Sequence, residues 1–73
     1  MSHWNHRVML HRTEHETYMA IHEVYYKEDG QPDGWTSEPR AAIGYGDNAL
    51  DDLRETLERM LRCLDKPVLE YSP

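Results

Sequence analysis

The chain has 73 residues, of which 8 are Lys or Arg and 14 are Asp or Glu, giving a formal net charge of −6 at pH 7. This length predicts one domain over residues 1–73 with a limited core, frayed at residues 1–3 and 70–73. The acidic balance argues against direct contact with nucleic acid, whose phosphates attract an excess of Lys and Arg. It permits docking onto a basic protein surface.

Cysteine usage and hydropathy indicate where the protein acts. Cys63 is the sole cysteine, so an intramolecular disulfide is impossible and a reducing compartment is favoured. No apolar run has the length of a signal peptide or a membrane span. We therefore expect a cytoplasmic protein with no membrane partner.

The first half of the sequence predicts strands and turns. Alternating residues predict a strand over residues 4–10, and the polar stretch 11–17 predicts a hairpin connection. Residues 18–26 give the strongest strand signal, followed by a loop over 27–34 with two Asp-Gly turns. Residues 35–43 predict a weaker strand, because Pro39 cannot donate a hydrogen bond to a neighbouring strand.

The C-terminal part predicts an amphipathic helix. Asp47 or Asn48 is the expected N-cap, and Pro67 predicts an end near Asp65 or Lys66. The order β-β-β-α predicts an α+β fold, in which a three-stranded antiparallel sheet carries one helix on one face. Val68 and Leu69 are expected to fold back over the end of the core. The residues expected to pack the helix on the sheet share spacings of three and four: Leu53, Leu57, Leu61 and Leu64.

Five histidines raise the possibility of a metal site, since pairs such as His3 with His6, or His11 with His15, have usable spacings. No Cys or carboxylate completes a ligand set. We therefore expect no metal and no other cofactor, and a small His-based metal-binding protein remains an alternative.

No catalytic motif is present. The serines lie outside any nucleophile-elbow context, and Cys63 lacks the electropositive surroundings that would lower its pKa. Neighbouring carboxylates of the helix, such as Asp51 with Asp52, are typical of a solvated helix face. The sequence predicts that the protein is not an enzyme.

Two surfaces are candidates for binding a protein partner. The second strand is apolar on both faces, and a single helix covers one, so the other face is either an interface or covered by a terminal segment. Met and Tyr are enriched at such interfaces. The acidic helix face is the second candidate. The residues expected to bind a partner are Met9, Met19, Ile21, Glu23 and Tyr25 on the sheet, and Asp51, Asp52, Glu55 and Glu58 on the helix.

Several sequence features resemble a known family. The stretch 21–26 (IHEVYY), Asp29-Gly30, Trp35, Glu38-Pro39, the leucine-spaced helix and the stretch 66–69 (KPVL) resemble a widespread family of small, uncharacterised bacterial and phage proteins. This resemblance implies a fold and a bacterial host cell. The β-β-β-α order, with Gly46-Asp47 opening an acidic helix, also resembles the partial-RNase-H-like domain of HicB-type antitoxins. Size and acidity are similar to those of anti-CRISPR proteins.

Together these features predict a non-enzymatic protein-binding module. Its most concrete form is an inhibitor, anti-CRISPR-like or antitoxin-like, that occupies a basic surface of a nucleic-acid-handling host-defence complex or toxin. The alternative is a homodimeric housekeeping protein that uses the open sheet face as its dimer interface.

Overall fold

The computed structural model describes residues 3–72 and confirms an α+β fold. In these residues four strands form a sheet in the order β3-β2-β1-β4, and one helix packs on it. The prediction of a three-stranded antiparallel sheet omitted one strand, because the short β4 pairs in parallel with β1. The elements are β1 (His3–Arg12), β2 (Thr17–Tyr26), β3 (Pro32–Trp35), α1 (Ala49–Cys63) and β4 (Leu69–Glu70).

A long hairpin of β1 and β2 forms the centre of the sheet. The register runs from His3 opposite Tyr26 to Arg12 opposite Thr17. In the turn between β1 and β2, the Thr13 hydroxyl accepts a hydrogen bond from the Glu16 backbone N–H at 3.0 Å. The connection is therefore shorter than the predicted polar loop over residues 11–17, and His11 lies in a strand.

The third strand is shifted from its predicted position at residues 35–43. It ends at Trp35, and the following segment continues beside β2 through two hydrogen bonds, from Thr36 N–H to Glu23 O (3.0 Å) and from Arg40 N–H to Ile21 O (2.9 Å). Pro39 has no N–H, so regular pairing is interrupted there.

Residues near both chain ends take part in the sheet. His3 lies in β1, Glu70 lies in β4, and the Tyr71 N–H donates to Leu10 O at 2.9 Å. Fraying of the two ends stays a prediction. Ser72 is exposed, and the rest of the predicted frayed ends (Met1, Ser2 and Pro73) lies outside the described residues.

One face of the hairpin packs under the C-terminal segment, and we call it the tail-side face. Met9, Val24 and Tyr26 are buried there, with Trp35, Leu69 and Tyr71 packed against them. The expected return of Leu69 to the core is confirmed, whereas Val68 stays 46% exposed. Because side chains alternate along a strand, the tail-side residues are His3, Asn5, Arg7, Met9 and His11 of β1 and Tyr18, Ala20, His22, Val24 and Tyr26 of β2.

The opposite, helix-side face lies under α1. Trp4, His6 and Glu23 line a cleft together with Thr56 and Arg59 of the helix. Helix-side residues are Trp4, His6, Val8 and Leu10 of β1 and Met19, Ile21, Glu23 and Tyr25 of β2.

The predicted packing face of the helix is wrong for three of its four leucines. Leu57, Leu61 and Leu64 are exposed by 51%, 67% and 58%, and Leu53 is half-buried. The less exposed side of the helix is a neighbouring stripe with the same spacing of three and four, in which Met60 and Cys63 are buried and Leu53 is shared with the predicted stripe. That stripe consists of Ala49, Leu53, Thr56, Met60 and Cys63.

The ends of the helix follow the sequence approximately. Asn48 is the N-cap residue, and its carbonyl accepts the Asp52 N–H at 3.0 Å, although its side chain makes no capping hydrogen bond. Regular helix stops at Cys63, and the next residues form a tight turn in which the Lys66 N–H donates to Cys63 O at 3.1 Å. Pro67 then prevents continuation.

Candidate protein-interaction surface

The sheet residues expected to form an open interface do not share one surface. Met9 is fully buried on the tail-side face, so it cannot belong to a contact surface with Met19, Ile21 and Tyr25. The placement of Met9 beside these residues is therefore wrong. In two paired strands, residues opposite each other point to the same face of the sheet. Met9 of β1 lies opposite Ala20 of β2 rather than opposite Met19 or Ile21.

Glu23 is tied into the structure on the helix-side face. Its carboxylate accepts the Tyr25 hydroxyl at 2.9 Å and pairs with the Arg40 guanidinium at 3.1 Å. The Glu23 side chain is 18% exposed. The hydrogen bond to Glu23 raises the pKa of Tyr25. These contacts hold the segment after β3 against β2, and they leave Glu23 little freedom to bind a partner.

The remaining sheet candidates offer a small area. Met19 is 60% exposed, whereas Ile21 and Tyr25 are half-buried. The helix lies mainly over β1, so it leaves β2 partly uncovered on this face of the sheet. The predicted sheet interface is thus reduced to Met19 and the exposed parts of Ile21 and Tyr25.

The acidic helix residues do form a continuous exposed surface. Asp51, Glu55 and Glu58 are exposed, and Asp47 extends the patch beyond the helix start. Arg54 contacts Asp51 at 3.0 Å in an exposed pair, which adds little stability. We call the set Asp47, Asp51, Asp52, Glu55 and Glu58 the acidic surface.

Asp52 has a structural role within this surface. It is half-buried, and its carboxylate accepts the Tyr45 backbone N–H at 2.9 Å. This bond fixes the loop before the helix and leaves the Tyr45 side chain 68% exposed beside the acidic residues. An aromatic side chain next to a charged patch is a common arrangement in protein interfaces.

A buried histidine pair on the tail-side face was missed by the sequence analysis. His11 Nε2 and His22 Nε2 are 2.8 Å apart, and the ring of His11 stacks on Tyr18 and Tyr71 with centroids 4.6 and 4.2 Å away. Both histidines are buried. Spacing along the sequence cannot reveal this pair, because it depends on the cross-strand register and on the return of the C-terminal segment.

The hydrogen-bond partners assign the tautomers of the pair for two neutral rings. His22 Nδ1 is 2.9 Å from the Thr36 carbonyl, which can only accept, so the proton of neutral His22 lies on Nδ1. His22 Nε2 then accepts a hydrogen bond from the protonated Nε2 of His11. Burial, followed by the neighbouring His22, lowers the pKa of His11. The pair is a packed, satisfied polar contact between β1 and β2.

The histidines outside this pair do not converge with it on a common point. His3 and His11 lie on the tail-side face, His6 lies on the helix-side face, and His15 is exposed at the hairpin turn. Burial lowers the pKa of His6, and it raises the pKa of the Cys63 thiol, which favours the protonated, unreactive form. Within residues 3–72, no group of three or more His, Cys, Asp or Glu side chains is arranged to hold a metal ion.

Comparison of the chain with protein-family models, curated proteins and solved structures finds no match. Among the described residues, no helix combines the length and apolar character needed to cross a membrane.

Proposed function

We propose that this protein is a non-enzymatic binding module whose acidic surface docks onto a basic surface of another protein. The observation that carries the proposal is the exposure of Asp51, Glu55 and Glu58 along one side of α1, continuous with Asp47. The net charge of −6 adds a long-range attraction for a basic partner and speeds its encounter.

Tyr45 supplies an apolar anchor for this interaction. Its side chain is 68% exposed, and the hydrogen bond from its backbone N–H to Asp52 holds the loop in place before binding. Tyrosine is enriched among the residues that dominate binding energy, and a pre-ordered loop loses less conformational entropy when it binds. The acidic residues would steer the encounter, and Tyr45 would slow dissociation.

A basic partner surface of this kind is typical of proteins that handle nucleic acid. Such surfaces bind phosphates through Lys and Arg, and an acidic protein that covers them displaces the nucleic acid. We therefore propose inhibition of a nucleic-acid-handling complex or toxin as the biological role. The resemblance to antitoxin domains and to anti-CRISPR proteins supports the same proposal.

Affinity capture from a bacterial lysate treated with nuclease tests this function. The bait is the full chain, and the test variant carries Asp51→Lys and Glu55→Lys. The control carries Glu14→Lys and Glu16→Lys, two exposed residues at the hairpin turn, so both variants have the same net charge. Circular dichroism shows that each is folded.

We expect wild type and the control to retain the same basic protein, released by salt, and the helix variant to lose it. Equal capture by all three proteins would contradict the role of the acidic surface. Loss in both variants would show that net charge matters but that this surface does not.

A further inference from the structure

The most unusual surface feature is a row of leucines on α1 that the sheet does not cover. Leu50, Leu57, Leu61 and Leu64 are exposed by 70%, 51%, 67% and 58%. From Leu50 to Leu64 they span two steps of seven residues, about 21 Å along the helix axis, and all four lie on one side of the helix. Single exposed leucines are ordinary, but a contiguous apolar row of this length marks an interaction surface. We call these four residues the leucine stripe.

The spacing of the stripe is symmetric about Leu57. Leu50 and Leu64 lie seven residues before and after it, and the half-buried Leu53 and the exposed Leu61 lie four residues before and after it. A twofold contact requires a self-complementary surface, in which residue i meets j and j meets i. An antiparallel pair of α1 helices centred on Leu57 places leucine against leucine at every one of these positions.

We propose that the leucine stripe binds a second copy of this chain, with the two α1 helices packed antiparallel around a twofold axis at Leu57. The seven-residue spacing suits helices that cross at a shallow angle and interdigitate as in a coiled coil. Of the acidic surface the contact uses only Glu58, at the edge next to the stripe, so each protomer keeps Asp51 and Glu55 available for another partner.

Charges beside the stripe favour this orientation. Arg54 and Glu58 border the leucine stripe on its solvent side. Leu53 and Met60, which face the sheet, border it on the other side. An antiparallel twofold pair brings the same border of each helix together. Arg54 of one copy then lies within about two residues, or 3 Å along the axis, of Glu58 of the other, twice by symmetry.

A parallel pair lacks this complementarity. It would set Arg54 and Glu58 against the apolar border near Met60, and it would align the two helix dipoles unfavourably. The Arg54–Asp51 contact within one chain is an exposed pair, so Arg54 can exchange it for Glu58 of the second copy at little cost.

Chain size supports self-association as well. Few hydrophobic residues in the described part of the chain are fully buried, and domains of this size often depend on oligomerisation for additional apolar burial. The leucine stripe is an apolar surface that the monomer leaves available for this burial. The buried hydrophobic residues are Val8, Met9, Val24, Tyr26, Met60 and Cys63.

Sedimentation velocity over a wide range of concentration tests the proposal with the full chain. The test variant is Leu57→Glu, which places two like charges at the twofold axis. The control is Met19→Glu, which puts the same charge on a residue of similar exposure on the uncovered part of the sheet. Leu61→Glu provides a second stripe variant, and circular dichroism confirms folding.

We expect a concentration-dependent dimer for wild type and Met19→Glu, and a monomer for the folded stripe variants. A wild-type monomer at every concentration would overturn the proposal. So would a dimer that survives Leu57→Glu and Leu61→Glu. Loss of the dimer in Met19→Glu alone would assign self-association to the sheet face.

A charge exchange tests the antiparallel register independently. Arg54→Glu alone and Glu58→Arg alone each place like charges opposite one another, and each should weaken the dimer about two- to tenfold, as expected for two exposed pairs. The double variant restores both pairs and should return the dissociation constant to within about twofold of wild type. If the double variant instead dissociates as readily as the sum of the two single effects predicts, the antiparallel register is wrong.

Discussion

Met9 and Met19 show how strongly the position of a residue in the hairpin determines its role. Met9 is fully buried on the tail-side face, and Met19 is 60% exposed on the helix-side face. Identical substitutions at the two positions therefore separate core packing from surface exposure. They also test the assignment of faces, which was predicted wrongly for Met9.

We expect Met9→Ala to lower the free energy of unfolding by about 2–5 kcal/mol, because it removes buried apolar atoms and leaves a cavity. Met19→Ala should change it by no more than about 0.5 kcal/mol, as is usual for exposed positions. Urea unfolding followed by circular dichroism measures both. Equal effects of the two substitutions would show that the faces are assigned incorrectly.

The histidine pair predicts a pH dependence of stability. Burial lowers the pKa of His11 from its ordinary value of 6.5, so below that value the unfolded chain binds more protons than the folded one. The contribution of His11 is therefore complete above the unfolded pKa of 6.5 and is lost as the pH falls through the folded pKa.

His11→Gln keeps a hydrogen-bond donor for His22 but removes this titration. We expect its free energy of unfolding to fall less than that of wild type between about pH 8 and pH 5, because only the dependence due to His6, whose pKa burial also lowers, then remains. His15→Gln, at an exposed position, should behave like wild type. Urea unfolding across this range is the measurement, and the same pH slope for His11→Gln and wild type would contradict the role of the pair.

At the scale of elements, the hairpin was predictable and the sheet edges were not. Alternating residues with high strand propensity located β1 and β2 to within two residues at each end. The two residues of β4 are too few to show a period, and they pair with β1 only because the helix returns the chain to that edge. Arg7 secures this return, donating to the Pro67 carbonyl at 2.6 Å.

The helix itself was predictable, but its buried face was not. Two stripes with the same spacing share Leu53, and the more apolar one was expected to face the sheet. The structure instead buries Met60 and Cys63 of the other stripe. Hydrophobic periodicity establishes that a helix is amphipathic, whereas the choice of face depends on the loop that delivers it.

That loop makes a close contact at Gly44, which supports a prediction about the helix start. A Cβ atom at Gly44 would overlap the Ala49 carbonyl oxygen and lie 2.9 Å from Leu53 Cβ. Gly44→Ala must therefore shift the first turn of α1 and should cost about 1–3 kcal/mol of stability. Gly34→Ala meets nothing within 4 Å and should be close to neutral. Thermal unfolding compares the two, and a neutral Gly44→Ala would show that the loop is not held against the helix.

At the scale of the whole molecule, the two outward surfaces of α1 lie side by side and meet at Glu58. The acidic surface lies around the first half of the helix, and the leucine stripe runs along its length on an adjacent side. A dimer formed through the stripe would present two acidic surfaces, so it could engage a repetitive or dimeric basic partner with increased avidity.

The kinetics of binding to the captured partner test the docking proposal most directly. Association rates are measured by surface plasmon resonance at increasing salt for wild type, for Asp51→Lys with Glu55→Lys, and for the Glu14→Lys with Glu16→Lys control. At low salt we expect the helix variant to associate about tenfold more slowly than the control, with a flatter salt dependence. Association rates that are the same for both variants and insensitive to salt would contradict the proposal that the acidic surface guides this protein to its partner.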